Sequence, residues 1–207
     1  FEHLPLECSH LYLAIEGKLA AVICVEDPLR EEAADAVREL KEAGITKVVM
    51  MTGDSERTAA AIAKRVGVDE YYSEVLPEDK ASFVEKEKEL GHKVIMIGDG
   101  INDSLALSSA SVGIAISDGA AIAREIADVT ISADNLHEIV TLKRLSTALM
   151  KRIHNNYRTI IGINGGLIAL GVTGIIMPTT SALLHNMSTL TISLRSMRNL
   201  LPKEEEA

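Results

Sequence analysis

Between Arg158 and Arg195 the chain carries no Asp, Glu, Lys or Arg, a run of 36 residues in a protein that is 25% charged. A bilayer-crossing helix needs roughly 20 apolar residues, range about 17 to 25. The run has the length for two spans, 159–177 and 179–197, with Pro178 in MPTTS marking the turn between them. Its first half, TIIGINGGLIALGVTGII, is glycine-rich, which close packing between membrane helices tolerates. Its second half sets His185, Asn186, Ser188 and Thr189 among apolar residues, and polar groups at that depth face a bundle interior or a pathway. Lys143, Arg144, Lys151, Arg152 and Arg158 precede the run, and Arg195, Arg198 and Lys203 follow it. By the positive-inside rule both ends then lie on the cytoplasmic side. A buried helical hairpin in a water-soluble core is the competing reading.

Before the run the pattern is different. Short apolar segments alternate with amphipathic ones: LYLAIEGKLAAVICVED as two strands turning at Glu16-Gly17, a helix from about Arg30 to Ala43 stopped by Gly44, then the strand TKVVMMTGD and the helix SERTAAAIAKRVG. YYSEV reads as a short strand, PEDKASFVEKEKEL as a helix started by Pro77, KVIMI as a buried strand, and SVGIAIS and ADVTIS as strands around the helix GAAIAREIA. Strands alternating with helices predict an α/β fold, a mostly parallel sheet wrapped by helices. From Asn135, Leu136, Ile139, Leu142, Leu145, Leu149 and Ile153 recur at helical spacing toward the uncharged run. That helix is either a stalk between a soluble part and a membrane or a surface helix packed on the sheet.

Composition removes some function classes. A net charge of −9 and 3% aromatic residues argue against a nucleic-acid partner. Cys8 and Cys24 are too few for a disulfide framework or a zinc cluster, and they read as reduced residues. The chain begins at Phe1, and a piece of a longer protein is expected.

Chemistry concentrates at three strand ends or helix starts. MIGDGINDSLAL places Asp99 and Asp103 where a strand stops at Gly98, the edge at which open α/β sheets bind ligands. Asn102 or Asp103 can cap the following helix, which accounts for one acid. Two carboxylates crowded together repel unless a cation lies between them, and hard oxygen ligands beside phosphate suit Mg²⁺. TGD (Thr52, Gly53, Asp54) offers a hydroxyl and backbone amides for phosphate oxygens, and LPEDK offers Lys80 to neutralise developing charge. Singly, each has an ordinary structural reading: a capped turn, a solvated lysine.

Together, DPLR (Asp27 to Arg30), MTGD, LPEDK and GDGIND, followed by a helix and two closing spans, resemble the C-terminal part of a P-type ATPase, more narrowly a heavy-metal-translocating one. The resemblance covers nearly the whole chain. It implies a Rossmann-like, haloacid-dehalogenase-type phosphorylation domain, in which ATP phosphorylates an aspartate and the cycle drives a cation across a membrane. Thr52 would bind the phosphoryl group with Gly53, and Asp54 would order that loop and the nucleotide. Lys80 would stabilise the phosphate, Asp99 and Asp103 would hold Mg²⁺ directly or through water, and Asn102 would support the loop. The implied divisions are 1–26 as the end of a nucleotide-binding domain, 27–134 as the phosphorylation domain, 135–158 as a stalk, the two spans, and 198–207 as a cytoplasmic tail. The implied setting is a plasma or inner membrane with the soluble part in the cytoplasm, and the implied partners are the lipid bilayer, the transported metal and the remainder of the same ATPase.

The departures are specific. The aspartate-bearing DKTGT motif is absent from these residues, so the chain alone is expected not to turn over ATP. Among the polar residues of the last two helices, Asn164, His185, Asn186 and Ser188 are the candidates for the transported metal. Imidazole suits Zn²⁺, Cu or Ni, whereas amide and hydroxyl oxygens favour harder cations such as Mn²⁺. HNMST matches neither the Met-Ser-Ser pattern of copper transporters nor the Asp-Gly pattern of many zinc ones, which leaves a divalent transition metal. Two other readings compete: a soluble phosphatase of the same fold, against which stands the absence of any DxD, and an inactive, truncated regulatory fragment.

Overall fold

A computed structural model describes residues 9–25, 29–98, 101–116, 125–131 and 135–200. The chain divides into two compact units, 1–140 and 141–207.

In the first unit, β1 (Ser9–Ile15) and β2 (Lys18–Val25) form an antiparallel hairpin, with Ile15 opposite Lys18 at its closed end. Glu16 and Gly17 both have positive φ, 51° and 74°, the backbone a tight hairpin turn demands. Leu11, Tyr12, Leu13 and Ile23 are exposed, so apolar side chains stand open on both faces of the ribbon. After it come α1 (Ala33–Glu42), β3 (Val49–Met51), α2 (Glu56–Val66), β4 (Glu70–Tyr72) and α3 (Pro77–Glu89). Then follow β5 (Ile95–Gly98), a 3₁₀ turn (Ile101–Asp103), α4 (Ser104–Ser109), β6 (Val112–Ile116) and β7 (Val129–Ile131).

Every pairing after the hairpin is parallel, as the alternation of strands and helices predicts: β3 with β4, and β5–β6–β7 in that order. The mostly parallel sheet expected from sequence is present, paired in two parts among the described residues. Among the described residues β3 and β5 each have a strand on one side only. The expected helix around 119–127 falls mostly outside the described residues.

Small residues let the helices sit close to these strands. Ala33, Ala36, Ala59, Ala63 and Ala106 are buried on the helices, and Leu107, Ile114, Ala115 and Val84 fill the space between them. A Cβ on Gly113 would lie 2.6 Å from the Leu107 carbonyl oxygen, so glycine is what allows α4 to rest on β6. Gly67 closes α2 at φ 79°, the left-handed C-terminal residue.

A polar tie joins α1 to the start of the sheet. Lys41 donates from Nζ to Asp69 at 2.7 Å and to the Gly67 carbonyl at 2.9 Å, and the Val48 amide donates to the other Asp69 oxygen at 2.7 Å. The Lys41 hydrogen bond, then the Val48 amide, hold the Asp69 carboxyl below its usual range. A carboxylate depressed in the folded state stabilises above its unfolded value, about 3.9, and that contribution is lost as pH falls through the lower folded value. Thermal melts below about pH 4 should therefore drop more steeply for the native protein than for Asp69→Asn; parallel curves would refute the tie.

The second unit is a hairpin of two helices. The first, α5 (His137–Val172), is one unbroken 36-residue helix whose first turn, with Ile139 and Val140 buried, belongs to the first unit. It ends where Gly174 (φ 71°) takes the left-handed conformation, with the Ile175 amide bonded to the Leu170 carbonyl and the Gly174 amide to that of Gly171. The second, α6 (Pro178–Ser196), starts at a proline in its first turn. Arg152 closes the open end: its guanidinium donates to the carbonyls of Ser196 (2.9 Å), Arg198 and Asn199 (3.0 Å), and Asn156 donates to the Ser196 hydroxyl at 2.7 Å.

Two membrane spans were expected at 159–177 and 179–197. Among the described residues no helix is long and apolar enough to cross a membrane. The glycine turn ends α5 at Val172, leaving Thr159–Val172 as its uncharged part. At about 1.5 Å per residue that is about 21 Å, against a hydrocarbon core of about 30 Å. In α6, His185, Asn186, Ser188, Thr189 and Thr191 dilute the apolar content.

Candidate functional site

Thr52 follows β3 directly, where the strand stops hydrogen-bonding as a ladder and its chain turns into α2. Its hydroxyl donates to Asp54 Oδ2 at 2.7 Å, and the Asp54 amide donates back to Thr52 Oγ1 at 3.1 Å. This reciprocal pair fixes the Thr52 side chain and leaves Gly53 exposed at the tip. Ser55 occupies the cap position of α2, and its hydroxyl pairs with that of buried Thr58 at 3.1 Å.

Lys80 stands in the first turn of α3. Pro77 begins that helix, and Asp79 reaches back to accept from the Leu76 amide at 3.2 Å, which ties down the helix start. Lys80 Nζ donates to Asp103 Oδ1 at 2.8 Å, with side chains 16% and 12% exposed. Asp103 ends the 3₁₀ turn after β5. A Cβ on Gly98 would lie 2.7 Å from Asp103 Cβ and 2.8 Å from its Oδ2, so only glycine at the strand end lets the carboxylate stand there.

LPEDK and GDGIND are thus joined through a largely buried ion pair between residues 23 apart in sequence. Asn102 is exposed beside it, and Asp99 and Gly100 lie outside the described residues, as do Asp27 and Pro28 of DPLR. Among the described residues no group of three or more His, Cys, Asp or Glu is clustered to hold a metal. The donor chemistry still fits Mg²⁺, which takes one or two carboxylates and keeps several waters. Asp103 supplies hard oxygens, with Lys80 engaged on one of them.

Sequence reading missed the support behind these groups. Glu56 accepts from the Tyr71 hydroxyl at 2.8 Å and from the Ser73 hydroxyl at 2.5 Å, which hold its carboxyl below the usual range, the Ser73 bond having the larger effect. Nothing in the spacing of Glu56, Tyr71 and Ser73 signals that contact. Backbone bonds run from the Thr52 amide to the Tyr72 carbonyl (3.0 Å), from Glu74 to Asp54 (2.9 Å) and from Val75 to Thr52 (3.0 Å).

The candidates for a transported metal lie in the second unit. His185 Nδ1 and Asn164 Oδ1 meet at 2.8 Å across the hairpin. Both line a groove of about 630 Å³ with Ile168, Gly171, Pro178 and Ser181. Ser188 instead turns its hydroxyl to the His185 carbonyl at 2.7 Å, and Asn186 is exposed; neither lines the groove.

Residues 3–111 match the haloacid dehalogenase-like hydrolase family. The chain is 37% identical over 189 residues to the zinc-exporting P-type ATPase of Mycobacterium marinum, covering 91% of this chain and 26% of that protein. It is 44% identical over 176 residues to copper-transporting ATPase 2 of Rhizobium meliloti, covering 85% and 21%. The chain therefore spans about a quarter of the length of these curated relatives. Among solved structures, a zinc-transporting PIB-type ATPase in its E2.Pi state superposes with a TM-score of 0.83 at 31% identity, over 95% of this chain and 32% of that one.

Proposed function

Because the chain belongs to the haloacid dehalogenase-like hydrolase family, we propose that its first unit grips a phosphoryl group and Mg²⁺ within a longer, metal-transporting P-type ATPase. The observation that carries this reading is the Lys80–Asp103 pair, which sets an ammonium and a carboxylate together at a strand end with little exposure to water.

In this reading the nucleophilic aspartate comes from another part of the protein and takes the γ-phosphoryl group of ATP, releasing ADP. Thr52 and the Gly53 backbone bind phosphoryl oxygens, and Asp54 keeps the Thr52 hydroxyl aimed. Lys80 offsets the negative charge that grows on those oxygens. Asp103, with Asp99, would hold Mg²⁺ directly or through water, and the bound ion would offset phosphate charge. Asn102 supports the turn. The unpaired sides of β3 and β5 suit a further parallel strand between them, and the exposed apolar ribbon of residues 9–25 suits a nucleotide-binding domain that covers it.

The second unit lies in the membrane among other helices of the longer protein, with the first unit in the cytoplasm. Ile161, Ile168, Val172, Leu183, Leu190 and Leu194 are exposed, and no residue of α6 is buried, so the hairpin needs an apolar surround. His185 and Asn164, which face one another across the groove, line the route of a divalent transition metal, whereas Asn186 and Ser188 stand off it.

The test is metal-stimulated ATP hydrolysis by the longer protein in lipid, scanning Zn²⁺, Mn²⁺, Co²⁺, Ni²⁺, Cd²⁺ and Cu⁺, with Asp103→Asn as control. Stimulation by one or two metals that Asp103→Asn abolishes is expected, and no stimulation of a folded, nucleotide-binding protein overturns the pump. His185→Ala should then lower the apparent affinity for the stimulating metal by about tenfold or more, as expected for loss of one ligand. An unchanged metal affinity removes His185 from the route.

A further inference from the structure

Among the described residues only Glu16 and Glu74 combine a side chain with a positive φ. Glu16 has an evident reason, the two-residue turn of the β1–β2 hairpin. Glu74, at φ 53°, stands between β4 and α3, where no hairpin requires it. Left-handed backbone at a residue with a Cβ is unfavourable and persists only where the surroundings enforce it.

The surroundings here are the two loops of the candidate site. The Glu74 amide donates to the Asp54 carbonyl at 2.9 Å, the Val75 amide to the Thr52 carbonyl at 3.0 Å, and the Thr52 amide to the Tyr72 carbonyl at 3.0 Å. Tyr71 and Ser73 add side-chain bonds to Glu56 in the first turn of α2. Two residues past Glu74 the chain reaches Leu76 and the start of α3, and Lys80 follows within one turn. The reversal at Glu74 therefore brings the chain off the Thr52–Asp54 loop and into the helix that presents Lys80. The Glu74 side chain is exposed, so its backbone does the positioning.

We propose that Glu74 is a positioning residue whose left-handed backbone locks the Thr52–Asp54 loop to the start of the Lys80 helix, fixing the spacing of the hydroxyl and the ammonium that grip one phosphoryl group. This rests on the assignment of Thr52 and Lys80 as phosphate-binding groups.

The experiment uses the longer protein and orthovanadate, a phosphoryl mimic, and reads the concentration that half-protects against trypsin, so it needs no turnover. Glu74→Val, whose β-branched side chain resists the left-handed region, should raise that concentration about tenfold while leaving the melting transition in place. Glu74→Asn and Glu74→Gly, which accept that backbone, should stay within about twofold of the native protein. If Glu74→Val does not fold, Glu74→Ala against Glu74→Asn makes the same comparison. Native-like protection in Val and Ala, or equal loss in Asn and Gly, overturns the proposal. Lys80→Ala separates the two levels: unchanged protection there refutes the phosphate site itself, whereas weakened protection beside a native-like, folded Glu74→Val refutes only the role of Glu74.

Discussion

Gly98→Ala should destabilise the first unit by about 1–3 kcal/mol, the range for overpacking a filled site, and abolish metal-stimulated hydrolysis in the longer protein. The added methyl would meet Asp103 Cβ at 2.7 Å, Oδ2 at 2.8 Å and Cγ at 2.9 Å. These atoms cannot swing aside cheaply, because Oδ1 of the same carboxylate is held by Lys80 and Cβ is one bond from the backbone. Relief must come from moving the 3₁₀ turn or breaking the ion pair. Gly53→Ala is the control for stability: a Cβ there meets nothing within 4 Å and its φ is not positive, so its melt should match the native one. Equal melting of Gly98→Ala and native protein would mean that Asp103 does not stand against the strand end.

The second large effect is expected at Lys80. Lys80→Ala leaves Asp103 as an unpaired carboxylate with 12% of its side chain exposed. Removing one partner of a fully buried pair costs about 3–5 kcal/mol; the residual exposure here reduces that to about 1–3 kcal/mol. The chemical loss is larger. An ammonium aimed at developing phosphoryl charge contributes on the order of a hundredfold to a thousandfold in rate, so phosphoenzyme formation from ATP should fall at least that far. The double variant Lys80→Ala with Asp103→Asn should recover much of the stability and none of the rate. Recovered rate would show that the pair is structural only; unrecovered stability would show that the two side chains do not share one energy.

The strands and helices of the first unit were legible because their apolar periods differ and their ends carry local signals. Glu16-Gly17, Gly44, Pro77 and Gly98 each mark a boundary through a backbone requirement of their own. The parallel pairing followed from the alternation. Its division into two parts is set by which strands are neighbours in space, which the apolar periods do not carry. At the site, the types and order of Thr52, Asp54, Lys80 and Asp103 pointed to phosphate chemistry before any geometry. The left-handed backbone at Glu74 had no such marker, because glutamate rarely adopts it and only hydrogen bonds between distant loops impose it. The end of α5 was not legible for a local reason: Gly174 closes the helix at a C-terminal turn that a count of apolar residues passes over.

The divided sheet also bears on the order of folding. Each part pairs strands close in sequence, Val49–Met51 with Glu70–Tyr72 and Ile95–Gly98 with Val112–Ile116, so each can assemble through short loop closures. Contacts of that kind form fast, and pairing between distant segments is slow because it must first close a long loop. Any strand from outside 49–131 that joins the sides of β3 and β5 left unpaired among the described residues therefore arrives late, onto two edges already made. Until it does, those edges are open to strands of other molecules, and the yield of folded protein should depend on concentration during that interval more than on the stability finally reached.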